Sequence, residues 1–203
     1  MVILKRLYIA GFILLSLTAQ AQNDVIKAFQ QSYVLEKSGK NKEALDALKK
    51  VYSENNYEVN LRLGWLSYLS GMFTESIAYY NNAINKMPLS IEARLGIVLP
   101  MAAMGNWNQI IEQYNKILRI DPQNSLVNYR MGVIYYERKQ YAKAESYLKK
   151  VVNLFPFDHD ALLMLAWTKY KQGDYNQAKL LFLKTLETNP SDKSAKQGLS
   201  LLK

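Results

Sequence analysis

The sequence predicts an all-α solenoid of about five helix–turn–helix repeats with a capping helix at the C-terminal end. Three observations predict it. Pro88, Pro122, Pro156 and Pro190 stand 34 residues apart. Two residues beyond each comes a short polar residue, Ser90, Asn124, Asp158 or Asp192, and Asn56 lies one period earlier. Within each period, two stretches with apolar residues at helical spacing flank a turn. A fixed period this long means one supersecondary unit copied along the chain.

The composition agrees. The chain has 203 residues, of which 49% are hydrophobic and 21% charged, enough apolar side chain for a sizeable core. There is no Cys, so disulfides, thiolate nucleophiles and thiolate zinc sites are excluded. The formal net charge is +9, and +7 once Lys5 and Arg6 are set aside. The lysines are scattered singly or in pairs, such as Lys49-Lys50 and Lys149-Lys150. They read as a solvated surface and not as a nucleic-acid-binding arm.

Residues 1–21 read as a secretory signal peptide. Lys5 and Arg6 form the positive n-region, Leu7 to Leu17 the apolar h-region, and Ala19-Gln20-Ala21 the cleavage site. Cleavage gives a mature chain starting at Gln22, either periplasmic or secreted. Retention of the leader gives an N-terminal membrane anchor instead, and on the protein-binding reading the membrane is a partner only in that case.

One domain, 22–203, is expected to hold repeats 25–56, 57–90, 91–124, 125–158 and 159–192 and a cap over 193–203. In repeat one, Asp24 is the expected N-cap, because its short side chain can accept from the open N–H groups of a first helical turn. Helix A then runs from Val25 to about Ser38 and stops at Gly39. Helix B carries Ala44, Leu45, Leu48, Val51 and Tyr52, and the period is two residues short, which predicts a shorter B helix. In repeat two, Gly71 makes the turn, and Ser76, Ile77, Tyr80, Ala83 and Ile84 form the buried stripe of helix B. In repeat three the turn is Gly105-Asn106-Trp107 and the stripe is Ile110, Ile111, Tyr114, Ile117 and Leu118. Pro100 falls inside its A helix, where a proline removes one hydrogen bond and presses on the carbonyl four residues back. A bend is expected there, with Gly96 easing the clash. In repeat four Lys139 stands where the others have Gly39, Gly71, Gly105 and Gly173, so that turn is either strained or differently shaped. Repeat five carries Leu162, Leu165, Ala166, Gly173, Ala178 and Phe182. After Asp192 a short helix sets Ala195, Leu199 and Leu202 among lysines, as a cap does.

These residues resemble the tetratricopeptide repeat family. The resemblance covers residues 25–203 and rests on Leu63-Gly64, Met131-Gly132 with Tyr135, and Leu165-Ala166 in the A helices. The B helices add Ala44, Ala144 and Ala178, then Tyr80, Tyr114 and Phe182, then Ala83 and the four prolines. Ser76 and Ile110 depart from the usual alanine, as do Val151 and Thr185 at the second small site. The resemblance implies a right-handed superhelix with the A helices lining a concave groove. Its groove offsets hold Phe29, Tyr33, Leu61, Trp65, Tyr68, Leu95, Leu99, Tyr129, Val133, Tyr136, Leu163, Trp167 and Tyr170. These side chains either pack between neighbouring A helices or form a contiguous apolar surface for a partner. The Lys and Asn clamp with which some members hold a chaperone's C-terminal carboxylate is missing, since those offsets carry Phe29, Tyr33, Leu61 and Trp65. An extended or helical segment with apolar and aromatic anchors fits better, with Glu36, Glu58, Glu92, Glu137 and Asp160 along the same side.

No enzyme is expected. His159 is the only histidine, and its place between Asp158 and Asp160 at a helix start explains it without chemistry. No phosphate loop, nucleophile elbow, metal-ligand set or cofactor motif is present. The function expected is a scaffold that binds a protein or peptide partner. The alternative is a binder of an anionic envelope polymer or lipid headgroup through the basic surface.

Overall fold

The structure, a computed structural model, describes residues 22–202, and the predicted leader lies outside the described residues. Those residues are all-helical. Helix A of each repeat is α1 (22–37), α3 (Tyr57–Leu69), α5 (Ile91–Ala103), α7 (Ser125–Glu137) or α9 (His159–Lys171). The B helices are α2 (Asn41–Lys49), α4 (Phe73–Lys86), α6 (Trp107–Ile120), α8 (Tyr141–Leu154) and α10 (Tyr175–Thr188), and α11 (Lys193–Ser200) follows. The chain divides within α6 into two compact units, one ending at Ile110 and the other starting at Ile111.

The proline marks set the helix starts by a two-part device. Ser90 N–H donates to the Met87 carbonyl, Asn124 to Asp121, Asp158 to Phe155 and Asp192 to Asn189. Each bond closes a turn with the proline at its second position, where a fixed φ is favoured. The same polar residue then caps the next helix. Asn56, Ser90, Asn124, Asp158 and Asp192 accept from the N–H of Val59, Ala93, Val127, Ala161 and Ala195 at 2.6–3.1 Å. Asp24 does not cap in this way: α1 is already helical at residue 22, so Asp24 lies inside it.

The turns between A and B helices share one design. Lys40, Met72, Asn106, Gln140 and Asp174 each donate their N–H to the carbonyl five residues back. The residue before each is left-handed: Gly39, Gly71, Gly105 and Gly173 at φ of 73–81°, and Lys139 at 58°. Lys139 therefore adopts the glycine conformation in an unaltered turn, at a strain of roughly 1 kcal/mol.

In the first unit, Ala28, Ala44, Leu45, Leu48, Val59, Leu63 and Leu66 form a core cluster. α2 has 9 residues against 14 in α4, because the short first period brings the Ser53–Asn56 turn forward. Val51 and Tyr52 thus lie beyond helix B, contrary to the sequence pattern. Val51 still packs on the core, while Tyr52 is exposed and sits edge-on to Tyr79 at 5.8 Å. Ser76, Tyr80 and Ala83 are buried in α4, but Ile77 and Ile84 are only half-buried. One residue is about 100° around a helix, so a neighbour of a buried position falls at the edge of the packed arc. α5 runs unbroken through the buried Pro100. Gly96 answers to Tyr80, since a Cβ on it would come within 2.3 Å of that ring.

In the second unit, Ile117, Met131, Leu148, Leu162 and Phe182 are fully buried. Ile111 and Leu118 are half-buried at the edge of the α6 stripe, as in α4. The helices approach through the same fit of large against small. A Cβ on Gly132 would meet Leu148 at 2.6 Å, and one on Gly198 would meet Phe182 at 2.3 Å. The departures from the repeat pattern satisfy their own hydroxyls. Ser76 donates to the Gly64 carbonyl at 2.7 Å and Thr185 to the Leu181 carbonyl at 2.9 Å.

Candidate interaction surface

The A helices position the predicted surface residues because their other faces are consumed by packing. Val59, Leu63 and Leu66 of α3 and Ala161, Leu162, Leu165 and Ala166 of α9 are buried. The offsets between them lie at the margin of the packed layer, where Phe29 and Trp65 pack against the core of the first unit and Tyr129, Tyr136, Leu163, Trp167 and Tyr170 against that of the second. In the first unit this leaves Phe29, Leu61, Trp65, Tyr68, Leu95 and Leu99 half-buried and Tyr33 56% exposed. In the second unit Tyr129, Val133, Tyr136, Leu163, Trp167 and Tyr170 are all half-buried. None of these side chains is in the fully buried core.

Several are brought together. Phe29 and Tyr33 have ring centroids 6.3 Å apart, and Trp65 and Tyr68 are at 5.8 Å. Tyr68 continues to Phe73 at 6.0 Å. The second unit repeats the arrangement with Trp167 and Tyr170 at 5.6 Å, Tyr170 and Tyr175 at 5.6 Å, and Tyr136 and Tyr141 at 5.6 Å. Burial raises the pKa of Tyr129 and Tyr136, with carboxylates and a neighbouring phenol adding to it, so both rings stay neutral.

The two tryptophans share an offset and differ in what holds them. Trp65 Nε1 donates to Glu36 Oε1 at 2.6 Å, and Arg62 pairs with the same carboxylate at 2.5 Å. Arg62 also lies 3.9 Å from the Tyr33 ring centroid and donates from Nε to Ser32 Oγ at 3.2 Å. Burial alone would raise the Glu36 pKa, but the bonds from Trp65 and Arg62 outweigh it and hold the carboxyl below its usual range. Trp167 instead stands edge-on to the buried Phe182 at 5.0 Å and donates to Ser194 Oγ at 2.9 Å. The sequence reading missed the Arg62–Glu36 pair. Its signal is an arginine between Leu61 and Leu63 in a helix of apolar residues, which needs an anion to be buried.

The other predicted polar residues divide. Glu92 accepts from Tyr57 OH at 3.3 Å, and Glu58, Glu137 and Asp160 are exposed. His159 is structural: its Nδ1 lies 2.7 Å from Thr188 Oγ1 and its Nε2 3.2 Å from Asp192 Oδ2, tying the start of α9 to the end of α10 and the cap of α11. A second ion cluster joins α8 to α9. Glu145 lies 2.6 Å from Lys149 Nζ, 2.7 Å from Lys169 Nζ and 2.8 Å from Gln172 Nε2. Burial opposes its ionisation, yet these donors bring its pKa down to about 2. Among the described residues no group of three or more His, Asp or Glu is placed to hold a metal ion, and no helix is long and apolar enough to cross a membrane.

Charge is unevenly shared. Residues 22–110 hold nine Lys and Arg against eight Asp and Glu, a net +1, while residues 111–203 hold fifteen against nine, a net +6.

The tetratricopeptide repeat model matches residues 101–159 and 136–202, together half of the chain. The chain belongs to the tetratricopeptide repeat family. Similar solved structures share the fold at low identity. A tetratricopeptide repeat protein from Parabacteroides merdae superposes with a TM-score of 0.76 at 20% identity, over 89% of this chain and 72% of that one. MamA from Desulfovibrio magneticus RS-1, from its residue 41 to the end, gives 0.70 at 17% identity, over 84% of this chain and 97% of that one. Another MamA crystal structure gives 0.72 at 20% identity, over 86% and 96%. The tetratricopeptide repeat is a protein–protein interaction scaffold, and in this chain its A helices carry the aromatic offsets described above.

Proposed function

We propose that this protein is a non-enzymatic scaffold, exported through its leader, that binds a protein or peptide segment along the outward face of its A helices. One observation carries the reading. Aromatic and leucine side chains recur at the same offsets of the A helices, and none of them is buried in the core. Half-exposed Trp and Tyr supply large contact area at low entropic cost, which is why they dominate interface energies. Glu58 and Glu92, exposed in the first turns of α3 and α5, favour a segment with a basic residue beside its apolar anchors.

The tyrosines give a cleaner test than the tryptophans, since Trp65 and Trp167 also hold their helices together. Captured partners from an envelope extract are compared for the wild-type protein and Tyr68→Ser/Tyr170→Ser. Hot-spot rings are worth about 2 kcal/mol each, so capture should fall by at least about thirtyfold. Capture by the double variant equal to wild type sinks the proposal.

A further inference from the structure

We propose that the α7–α8 and α9–α10 turns of the second unit form an edge that docks on an anionic phospholipid surface. The strained turn residue is the first observation. Four of the five A–B turns use glycine at the left-handed position, and the fifth holds Lys139 there at φ 58° with every backbone bond of the turn kept. Nothing in the packing calls for a side chain at this position, since a Cβ at each of the four glycines would meet no atom within 4 Å. Strain of this kind persists where the side chain has a use.

The second observation is what surrounds it. Arg138 and Lys143 are exposed on either side of Lys139. The α9–α10 turn lies on the same edge, because Gln172 in that turn donates to Glu145 in the first turns of α8 at 2.8 Å. It brings Lys171, whose ammonium is 5.9 Å from the Tyr170 ring centroid, and Tyr175, which is 56% exposed. Cations interleaved with amphipathic tyrosines match the chemistry of a bilayer interface. The ammonium and guanidinium groups meet the phosphates, and the phenol rings sit at headgroup depth with their hydroxyls in water. The edge belongs to the unit that carries +6 of the charge, so long-range attraction favours the same approach. A soluble polyanion would use the cations and leave the tyrosines idle.

The test is co-sedimentation of the full chain with phosphatidylcholine vesicles, with and without phosphatidylglycerol, at low and high salt. Neutral vesicles report any insertion by the leader itself. The expected result is stronger binding to the anionic vesicles, lost at high salt. Each cation is worth about fivefold near such a surface, so Arg138→Ser/Lys139→Gly/Lys143→Ser should bind about a hundredfold more weakly. Tyr175→Ser should weaken binding as well. Lys139→Gly alone should weaken vesicle binding and raise the melting temperature, two effects that a merely structural lysine would not show together. Lys150→Ser/Lys184→Ser/Lys196→Ser, a charge-matched change elsewhere in the unit, should bind more tightly than the triple variant. Equal binding to neutral and anionic vesicles, equal losses in the triple and control variants, or displacement from vesicles by polyphosphate with Tyr175→Ser unchanged would each overturn the proposal.

Discussion

Trp65 in the first unit and Trp167 in the second occupy one offset of the repeat, yet different chemistry holds them. Trp65 shares a carboxylate with the buried Arg62. Trp167 leans on Phe182 and a serine hydroxyl, and the ion cluster of its unit, around Glu145, joins α8 to α9 without it. The repeat period decides where a ring stands. The residues one turn away decide whether its support is ionic or apolar. The arginine offset makes the point: it holds Arg62 in repeat two, Gly96 in repeat three, Arg130 in repeat four, Met164 in repeat five and Gly198 in the cap. Arg62 meets a carboxylate, Arg130 donates to Tyr114 OH at 3.2 Å, and each glycine makes room for an aromatic ring.

That contrast can be broken on its ionic side. Arg62→Ala leaves Glu36 paired only with Trp65 and should destabilise the protein by about 3 kcal/mol, read as a lower urea midpoint. Replacing the pair together, Arg62→Met with Glu36→Leu, removes both charges and should recover most of that loss. An Arg62→Ala midpoint equal to wild type would mean that the Arg62–Glu36 pair adds nothing to the support of Trp65.

A smaller effect sharpens the comparison in the second unit. Glu145 has its folded pKa depressed from 4.5 to about 2, so its contribution is complete above about pH 4.5 and is lost as the pH falls towards about 2. Glu145→Gln should flatten the stability profile across that window and cost roughly 2 kcal/mol at neutral pH, because Lys169, 13% exposed, keeps only Asp174 as its carboxylate partner. A variant whose stability still falls as steeply over that window would place the acid sensitivity elsewhere.

Much of the fold was legible because the period fixes backbone events. The prolines close turns, the polar residues two places on cap helices, and the glycines take left-handed angles. Lys139 was legible for the same reason, since a side chain in the glycine place announces its own strain. What was not legible depends on which helix lies opposite. The half-burial of Ile77, Ile84, Ile111 and Leu118 follows from the width of the packed arc, which apolarity alone does not give. Gly96 looked like relief for Pro100 and proved to be room for Tyr80. The Arg62–Glu36 pair joins residues in different repeats, and a pattern read within one repeat misses it. Asp24 looked like a cap because the sequence shows a capping residue but not where the helix before it begins.

The most direct test of the interaction surface is site-specific photocrosslinking. Benzoylphenylalanine replaces Tyr68 on the A face, or Tyr79 in α4 beside Tyr52, and each protein is irradiated in an envelope extract. The account predicts a discrete protein adduct from position 68 and none from position 79. Adducts from position 79 alone, or from neither position, would contradict it.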